Sequence, residues 1–289
     1  MNLHIFTEQL GGLNFGIEFT SACMMLLLYV AMGMKKGQSK EIYYYKFFIG
    51  TNALAIWTDL VAYLTTGNKT LVPFMLTMSI LSYMLTAGAI FGFYAYLQNH
   101  YSERYGLKFH ERTLKYLFIY LIVICLGYIS SAWTGWFYYV NENNKYANGP
   151  YASATGIMVF PLLVACFVIV VRNWKKASTR ENVIHTTFIL SQFVFGYLDA
   201  AYQTTIHYIA NIVLAVLIYI VISLETEQQL AAKETELVKS ELNALRLQMN
   251  PHFIYNTLAS IDGLCMFDPE EARNLIAKFT KHLRSSYLD

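Results

Sequence analysis

The sequence predicts an all-α membrane protein, in which a bundle of seven transmembrane helices is followed by a coiled coil and a helical hairpin. Of the 289 residues, 56% are apolar and only 14% are charged, against roughly 25% in an ordinary soluble domain. Seven apolar stretches approach the roughly 20 residues that cross a bilayer. Residues 223–289 hold 17 of the 40 charged residues. This composition excludes a soluble enzyme, a disordered chain and a basic nucleic-acid-binding domain.

The seven predicted spans follow one another from the N-terminus. We expect them at about 13–34, 47–65, 72–98, 116–134, 156–171, 186–206 and 207–224. The fifth is short and contains Pro161, and only polar residues near Gln203 and His207 divide the sixth from the seventh. The predicted domains are a seven-helix transmembrane bundle at 1–224, a coiled coil at 225–248 and a hairpin at 249–289.

Lysine and arginine are distributed unevenly among the connections. Twelve lie in or beside the odd-numbered connections: Lys35, Lys36, Lys40, Lys46, Arg104, Lys108, Arg112, Lys115, Arg172, Lys175, Lys176 and Arg180. The even-numbered connections hold only Lys69 and Lys145. Because cytoplasmic loops carry an excess of positive charge, we expect the N-terminus outside the cell and the charged tail in the cytoplasm.

The longest outer connection, at about 135–155, is rich in Tyr and Asn. Two interpretations are open. It is either an aromatic belt with a solvated loop or a lid over an outward-facing pocket.

Three acidic residues lie inside predicted spans, where charge is costly and usually functional. Glu18 is in the first span, Asp59 in the second and Asp199 in the sixth. Counted from the outer face at about 1.5 Å per residue, all three lie at one level, roughly 8–10 Å deep. No Lys or Arg shares this level.

These acids have a structural and a functional interpretation. In the first, they form hydrogen bonds with neighbours such as Asn14 and Tyr202. In the second, they line a pocket for a cationic or polar ligand from outside the cell, or form a pH-sensing carboxyl cluster, with Trp136 near its wall. The candidate ligand-binding residues are Glu18, Asp59, Asp199, Trp57, Trp133 and Tyr202.

The membrane half also limits the function classes. The last two spans contain no lysine for a retinal Schiff base, which excludes a retinal protein. A seven-span transporter or channel with a regulatory dimerising tail stays as the alternative, although no internal repeat with broken helices supports it. The four cysteines form no CxxC pair, so we expect neither a disulfide framework nor a metal site.

The region after the last span is rich in strong helix formers and contains no Gly or Pro up to Met249. Apolar residues spaced four, three and four apart form a short heptad seam: Val238, Leu242, Leu245 and Met249. The pattern predicts a parallel two-stranded coiled coil that continues directly from the last span. A helix that packs on its own tail is the alternative.

A resemblance appears at residues 248–258. This run, QMNPHFIYNTL, resembles the phospho-acceptor box of LytS/YehU-type sensor histidine kinases, and EARNLIAKFTKHLRSSYL at 271–288 is similar to the second helix of that family. More loosely, NALAIWTDLVAYLTTG at 52–67 and YANGPY at 146–151 resemble bacterial seven-span sensor modules fused to kinases and diguanylate cyclases.

By this resemblance, His252 is the residue that becomes phosphorylated. Neutral imidazole is a good nucleophile near pH 7, and we expect Pro251 to kink the helix and lift His252 out of the seam. Asn256 lies one turn further on the same face, where it can orient the imidazole but cannot act as a base. Phe253 occupies the position where the larger histidine-kinase class has an acid, so the sequence does not identify the base.

The resemblance implies a homodimeric receptor histidine kinase of a two-component system, embedded in the lipids of a bacterial cytoplasmic membrane. The complete kinase would use ATP and Mg²⁺, phosphorylate His252 and pass the phosphoryl group to a response-regulator aspartate, with nucleic acid only an indirect partner. The sequence ends at Asp289, before the ATP-binding domain that the family implies. We therefore expect this chain to bind no cofactor and to be inactive alone. A dead scaffold that only dimerises is a further alternative.

Overall fold

The computed structural model describes residues 3–33, 40–108, 110–202, 204–248 and 251–286. Within them the chain is almost entirely helical, which confirms the predicted all-α class. The α-helices are α1 (Leu3–Gly33), α2 (Lys40–Leu64), α3 (Val72–Tyr105), α4 (Glu111–Thr134), α5 (Ala154–Arg172), α6 (Thr179–Tyr202), α7 (Ile206–Gln248), α8 (Pro251–Phe267) and α9 (Pro269–Ser286). A 3₁₀ turn, Lys69–Leu71, precedes α3, and two short strands, β1 (Tyr138–Val140) and β2 (Tyr146–Asn148), lie between α4 and α5.

Six segments of the described chain are long and apolar enough to cross a membrane: Gly12–Gly33, Lys40–Leu64, Lys69–Tyr105, Glu111–Thr134, Ala154–Arg172 and Ile206–Ala244. They overlap six of the seven predicted spans. The predicted sixth span, α6, is not among these described segments, and its first half carries the buried polar residues Glu181, Asn182 and His185. With 24 residues α6 is long enough to span, and the count of seven stays a prediction.

Aromatic side chains hold α2, α3 and α6 together. The ring centroid of Phe93 on α3 lies 5.3 Å from that of Phe48 on α2 and 4.3 Å from that of Phe188 on α6. Gly92 allows this approach, because a Cβ at that position would lie 3.3 Å from the Cα of Phe48. α7 joins this core where the hydroxyl of Tyr45 donates a hydrogen bond to the carbonyl of Ala215.

The bundle has two distinct ends. We call the end at which α2 and α6 begin and α3 ends the basal end, and the opposite end, which carries the two strands, the apical end. The predicted orientation would place the apical end outside the cell.

The outer connection forms an antiparallel ribbon that is docked on the apical end. In the register of β1 and β2, Tyr138 pairs with Asn148 and Val140 pairs with Tyr146. Tyr138 is fully buried, and its ring stacks between those of Tyr83 and Tyr146 at centroid distances of 5.0 and 6.1 Å.

The tip of the ribbon is anchored to the end of α2. Asn144 has a φ of 51° and is fully buried. Its side-chain amide donates a hydrogen bond to the carbonyl of Thr65 at 2.5 Å, and its own carbonyl accepts one from Gly67 at 2.9 Å. The tip of the connection is therefore docked on the bundle, while Tyr139, Tyr146 and Tyr151 are exposed. The interpretations as a lid and as an aromatic belt both stay open.

The contacts divide the chain into two units, Met1–Val221 and Ile222–Asp289. In the second unit α8 and α9 form a hairpin, in which the rings of Phe253 and Phe279 lie 6.0 Å apart. Asp268 caps α9 by accepting a hydrogen bond from the amide of Glu271 at 3.1 Å, and Pro269 occupies the first helical position.

The described part of α7 ends at Gln248, and α8 is described from Pro251 to Phe267. Residues 249–250 lie outside the described chain, so the kink expected at Pro251 stays a prediction.

The predicted coiled-coil seam is exposed in the single chain. Leu230, Leu237, Val238 and Leu242 retain 58%, 63%, 55% and 53% of their accessible surface. The side chain of Leu245 and the whole of Met249 fall outside the described residues. The coiled coil stays a prediction.

Candidate functional site

The candidate phospho-acceptor lies on the exposed face of the hairpin. His252 is in the first turn of α8 and is exposed, as is Asn256 one turn later. The Asn256 amide nitrogen lies 3.2 Å from Nδ1 and 3.3 Å from Nε2 of His252. Since neutral imidazole accepts a hydrogen bond at only one ring nitrogen, the amide can hold the ring while the other nitrogen carries the proton.

Phe253 orients the helix that carries His252. Its ring packs on Phe279 and lies 5.3 Å from the ring of His282 on α9, nearly edge-on. Successive helical residues point about 100° apart, so the packing of Phe253 against α9 leaves His252 facing outward.

At the apical end, Asp199 caps α7. Its carboxylate accepts hydrogen bonds from the backbone amides of Ile206 at 3.1 Å and His207 at 3.2 Å, and from the hydroxyl of Thr204 at 2.6 Å. It also pairs with Nδ1 of His207. An acid at a helix N-terminus satisfies unpaired amides and the helix dipole, so Asp199 has a clear structural role.

Asp59, on α2, binds the same first turn of α7 that Asp199 caps. Its carboxylate accepts a hydrogen bond from the hydroxyl of Tyr208 at 2.8 Å. The rings of Tyr208 and His207 lie 3.9 Å apart, so the groups bound to Asp59 and Asp199 are in contact with each other.

Glu18 is the least satisfied of the three acids. It is 4% exposed, and its Oε2 has no hydrogen-bond partner among the described residues. α1 packs beside α2 at this level, since the ring centroids of Phe15 and Tyr63 lie 6.0 Å apart and those of Phe19 and Trp57 lie 6.5 Å apart. We call Glu18, Asp59, Asp199, His207 and Tyr208 the apical cluster.

The predicted aromatic walls are only partly in place. Trp57 is partly buried, with its ring 6.5 Å from that of Phe19. Trp133 is 81% exposed and Trp136 51% exposed, so both lie on the surface and not around the carboxylates. The side chain of Tyr202 falls outside the described residues.

The basic partner of the apical cluster is a histidine, His207, and not a Lys or Arg. From the sequence, His207 is predicted only as a turn residue. Its position eight residues after Asp199, just beyond a helix break, was the available signal. The hydroxyl of Tyr208 binds Asp59, a contact that the sequence did not predict.

A second polar cluster at the basal end was not predicted at all. Nδ1 of His100 on α3 lies 2.7 Å from Glu41 on α2, and its Nε2 lies 3.5 Å from Glu181 on α6. Arg104 approaches Glu181 at 2.9 Å. Burial alone raises the pKa of Glu181, but its contacts with His100 and Tyr105, together with the charge of Arg104, hold that pKa at about 2.

The sequence contained one signal for this cluster. Ser178 and Glu181 form a capping box, in which the amide of Glu181 donates to the Ser178 hydroxyl at 3.3 Å and the amide of Ser178 donates to the Glu181 carboxylate at 3.3 Å. The pattern Ser-x-x-Glu at 178–181 predicts the helix start. The same pattern does not predict the partners on the other helices, Glu41 on α2 and His100 and Arg104 on α3, which only the helix packing brings together with Glu181.

Comparison with known proteins bears on the tail. The histidine kinase family matches residues 240–289. The chain is 37% identical over 57 residues to sensor protein LytS of Bacillus subtilis, which covers 19% of this chain and 10% of that protein. It is 30% identical over 122 residues to sensor histidine kinase YpdA of Escherichia coli, with coverages of 40% and 21%.

LytS of Staphylococcus haemolyticus is 26% identical over 140 residues, which cover 48% of this chain and 20% of that protein. The chain thus spans at most about a fifth of these relatives. No solved structure matches it significantly. The histidine kinase family thus matches the end of the tail, and part of the chain is similar to bacterial sensor proteins.

Proposed function

We propose that this chain is the sensor and phospho-acceptor part of a homodimeric membrane histidine kinase of a two-component system. The observation that carries the proposal is the exposed His252, held by Asn256 at the start of α8, within a segment that matches the histidine kinase family.

In the proposed reaction, an imidazole nitrogen of His252 attacks the γ-phosphorus of ATP. A nitrogen–phosphorus bond forms, the bond to the bridging oxygen breaks, ADP leaves, and the other ring nitrogen gives up its proton to water. The Asn256 amide holds the ring before the reaction, and this contact opens when the lone pair of the bound nitrogen attacks. The phosphoryl group then passes to a response-regulator aspartate.

The resemblance also implies Mg²⁺ in the complete kinase. Among the described residues, no group of three or more His, Cys, Asp or Glu side chains could hold a metal ion.

We infer that the signal acts at the apical cluster. Asp199 and Asp59 both bind the first turn of α7, through Ile206 and His207 in one case and Tyr208 in the other. A cationic or polar ligand, or a proton, taken up beside Glu18 would change the charge next to these contacts. The ribbon lies at the same end of the bundle, since Asn144 at its tip binds the carbonyl of Thr65, just after α2.

α7 offers a direct route for such a signal. It runs from Ile206 to Gln248 as one helix of 43 residues. A ligand that binds better to one position of the first turn of α7 would shift the population toward that position, and a continuous helix contains no flexible linker to absorb the change.

Phosphotransfer in trans tests the kinase assignment. The chain in lipid nanodiscs is incubated with labelled ATP and the ATP-binding domain of a LytS-type kinase. We expect labelling of the wild type and none of His252→Gln. Asn256→Ala should slow labelling by about 10²-fold, because the nucleophile is no longer oriented.

Asn274→Ala is the matched control. Asn274 is exposed on α9, and its amide donates a hydrogen bond to the side chain of Glu271 at 3.4 Å. Because this contact lies within α9, labelling of Asn274→Ala should keep the wild-type rate. Equal labelling of the wild type and of His252→Gln would contradict the assignment of His252 as the phospho-acceptor. An unlabelled wild type, with a donor domain that labels its own hairpin, would favour the dead scaffold.

A further inference from the structure

We call the polar groups at the basal end, Glu41, His100, Arg104 and Glu181, the basal cluster. This cluster is remote from the apical cluster and takes no part in the proposed phosphotransfer. It joins the beginning of α2, the end of α3 and the beginning of α6. His100 and Glu181 are each 1% exposed and His185 is 3% exposed. Ionisable groups buried this deeply are costly unless they are paired, so their protonation states are constrained by their neighbours.

His100 has a carboxylate at both ring nitrogens. Nδ1 lies 2.7 Å from Glu41 Oε1, and Nε2 lies 3.5 Å from Glu181 Oε1. Neutral imidazole has one N–H donor and one lone pair, whereas imidazolium has two donors. Only the protonated ring can face both carboxylates without directing a lone pair at a negative oxygen.

Charge balance leads to the same protonation state. The two carboxylates, Glu41 and Glu181, face Arg104 and His100. With a protonated His100 the charges cancel, and without that proton one buried negative charge is uncompensated. The other titratable groups around the ring are the tyrosines Tyr96, Tyr101 and Tyr105 and the imidazole of His185.

His185 has a different environment, although its ring centroid is only 5.3 Å from that of His100. Its Nε2 lies 3.2 Å from the hydroxyl of Tyr96, and its Nδ1 lies 3.5 Å from that of Tyr101. A hydroxyl can donate or accept, so neutral His185 is fully satisfied and serves as an internal reference.

The basal cluster also contacts α7. The ring of Tyr96 lies 5.6 Å from His100 and 5.1 Å from Tyr45, and the Tyr45 hydroxyl donates to the carbonyl of Ala215 on α7. A small cavity is lined by His100 and Glu181 and also by Ile218 and Val221 of α7.

We propose that His100 is a proton-binding site whose imidazolium charge joins α2 to α6 and thereby fixes the basal part of α7. Loss of the proton turns one ring nitrogen into an acceptor that faces a carboxylate. That contact then opens, and the packing of Tyr96 and Tyr45 on α7 loosens with it. The ligand of this site is a proton, and its binding to His100 requires no phosphotransfer, so the two proposals can be tested separately.

The protonation state can be measured directly. The 289-residue chain, labelled with ¹⁵N-histidine, is placed in nanodiscs, and His100→Asn assigns the signal. We expect both ring nitrogens of His100 to carry protons at neutral pH, while His185 carries one. A singly protonated His100 at neutral pH overturns the proposal.

Matched variants test the role of the two carboxylates. Glu181→Gln or Glu41→Gln should bring the loss of the His100 proton to a lower pH. Glu103→Gln removes an exposed charge on the same helix end as His100 and should leave the titration unchanged. If Glu181→Gln fails to fold, Glu41→Gln still tests whether a carboxylate holds the His100 proton. The Glu41 side chain is 16% exposed, so removing its charge disturbs the fold less.

A spin label reports whether the site positions α7. The label is attached at Leu224→Cys, an exposed position on α7, in a variant without the native cysteines. We expect its spectrum to change as His100 loses its proton, and Glu181→Gln to shift that change to the same lower pH as the His100 titration. A label spectrum that is constant through the titration of His100 would show that the site does not act on α7.

Discussion

The three acids of the membrane half differ because their partners differ. Asp199 is saturated by two backbone amides, a hydroxyl and His207, whereas Asp59 accepts from Tyr208. Glu18 Oε2 has no partner among the described residues. Asp199 therefore caps the start of α7, Asp59 binds its first turn, and Glu18 is the acid at which we propose that a proton or a cation binds.

Replacing Asp199 should destabilise the start of α7. We expect Asp199→Ala to lower the free energy of unfolding by about 0.5–2 kcal/mol, as for the loss of other N-terminal caps, and Asp199→Asn, which keeps one acceptor oxygen, to cost less. Thermal unfolding of the chain in detergent measures this. Asp262 is exposed on α8, so Asp262→Ala is the control; equal stability of the two alanine variants would contradict the capping role.

At the scale of elements, the apical ribbon is held by one face. Tyr138 is buried in the stack of Tyr83 and Tyr146, and its hydroxyl donates to the carbonyl of Tyr128 at 3.1 Å. Tyr139, the next residue, points to the other face and is 44% exposed. Alternation along a strand thus separates a packing residue from a surface residue.

This difference can be tested with a pair of neighbouring substitutions. Tyr138→Ala should cost about 3–5 kcal/mol, the range for removal of a large buried aromatic side chain, and should undock the ribbon. Tyr139→Ala should have little effect. Hydrogen exchange of the ribbon amides provides the readout, and similar exchange rates in both variants would argue against a docked cover.

For the whole molecule, we predict that the apolar seam on α7 binds a second copy of the chain. Leu230, Leu237, Val238 and Leu242 are more than half exposed in one chain, and such a stripe at heptad spacing is typical of a coiled-coil partner surface. A parallel pair would bring the same seam residue of both chains together and set the two hairpins side by side.

Cysteine cross-linking tests the parallel arrangement. In a variant without the native cysteines, Val238→Cys should form a disulfide between two copies, since facing seam residues approach the 4.4–6.8 Å between Cα atoms that a disulfide needs. Lys239→Cys lies one residue off the seam and should cross-link weakly. Non-reducing electrophoresis separates the products, and equal cross-linking at both positions would reject the parallel seam.

Much of the helical layout was predictable. Length and hydropathy located six of the spans, because apolar runs of spanning length have few alternative structures in a bilayer. The ends were less accurate: α2 begins at Lys40 and not at 47, α3 ends at Tyr105 and not at 98, and α7 continues to Gln248. Composition placed the polar tail, and the division between α6 and α7 falls where polar residues follow Tyr202. The ribbon was missed because each strand has only three residues and its stability comes from Tyr83 on another element.

The sequence by itself determined the class of the protein, the stretch that carries the phospho-acceptor box and the three membrane acids, since each depends on local composition or spacing. Only the tertiary structure decided which polar groups meet. It paired Asp199 with His207, Asp59 with Tyr208, and His100 with Glu41 and Glu181. The physical reason is that a buried charge takes its partner from whichever helix packs beside it, and helix packing depends on side-chain shapes far apart in the chain.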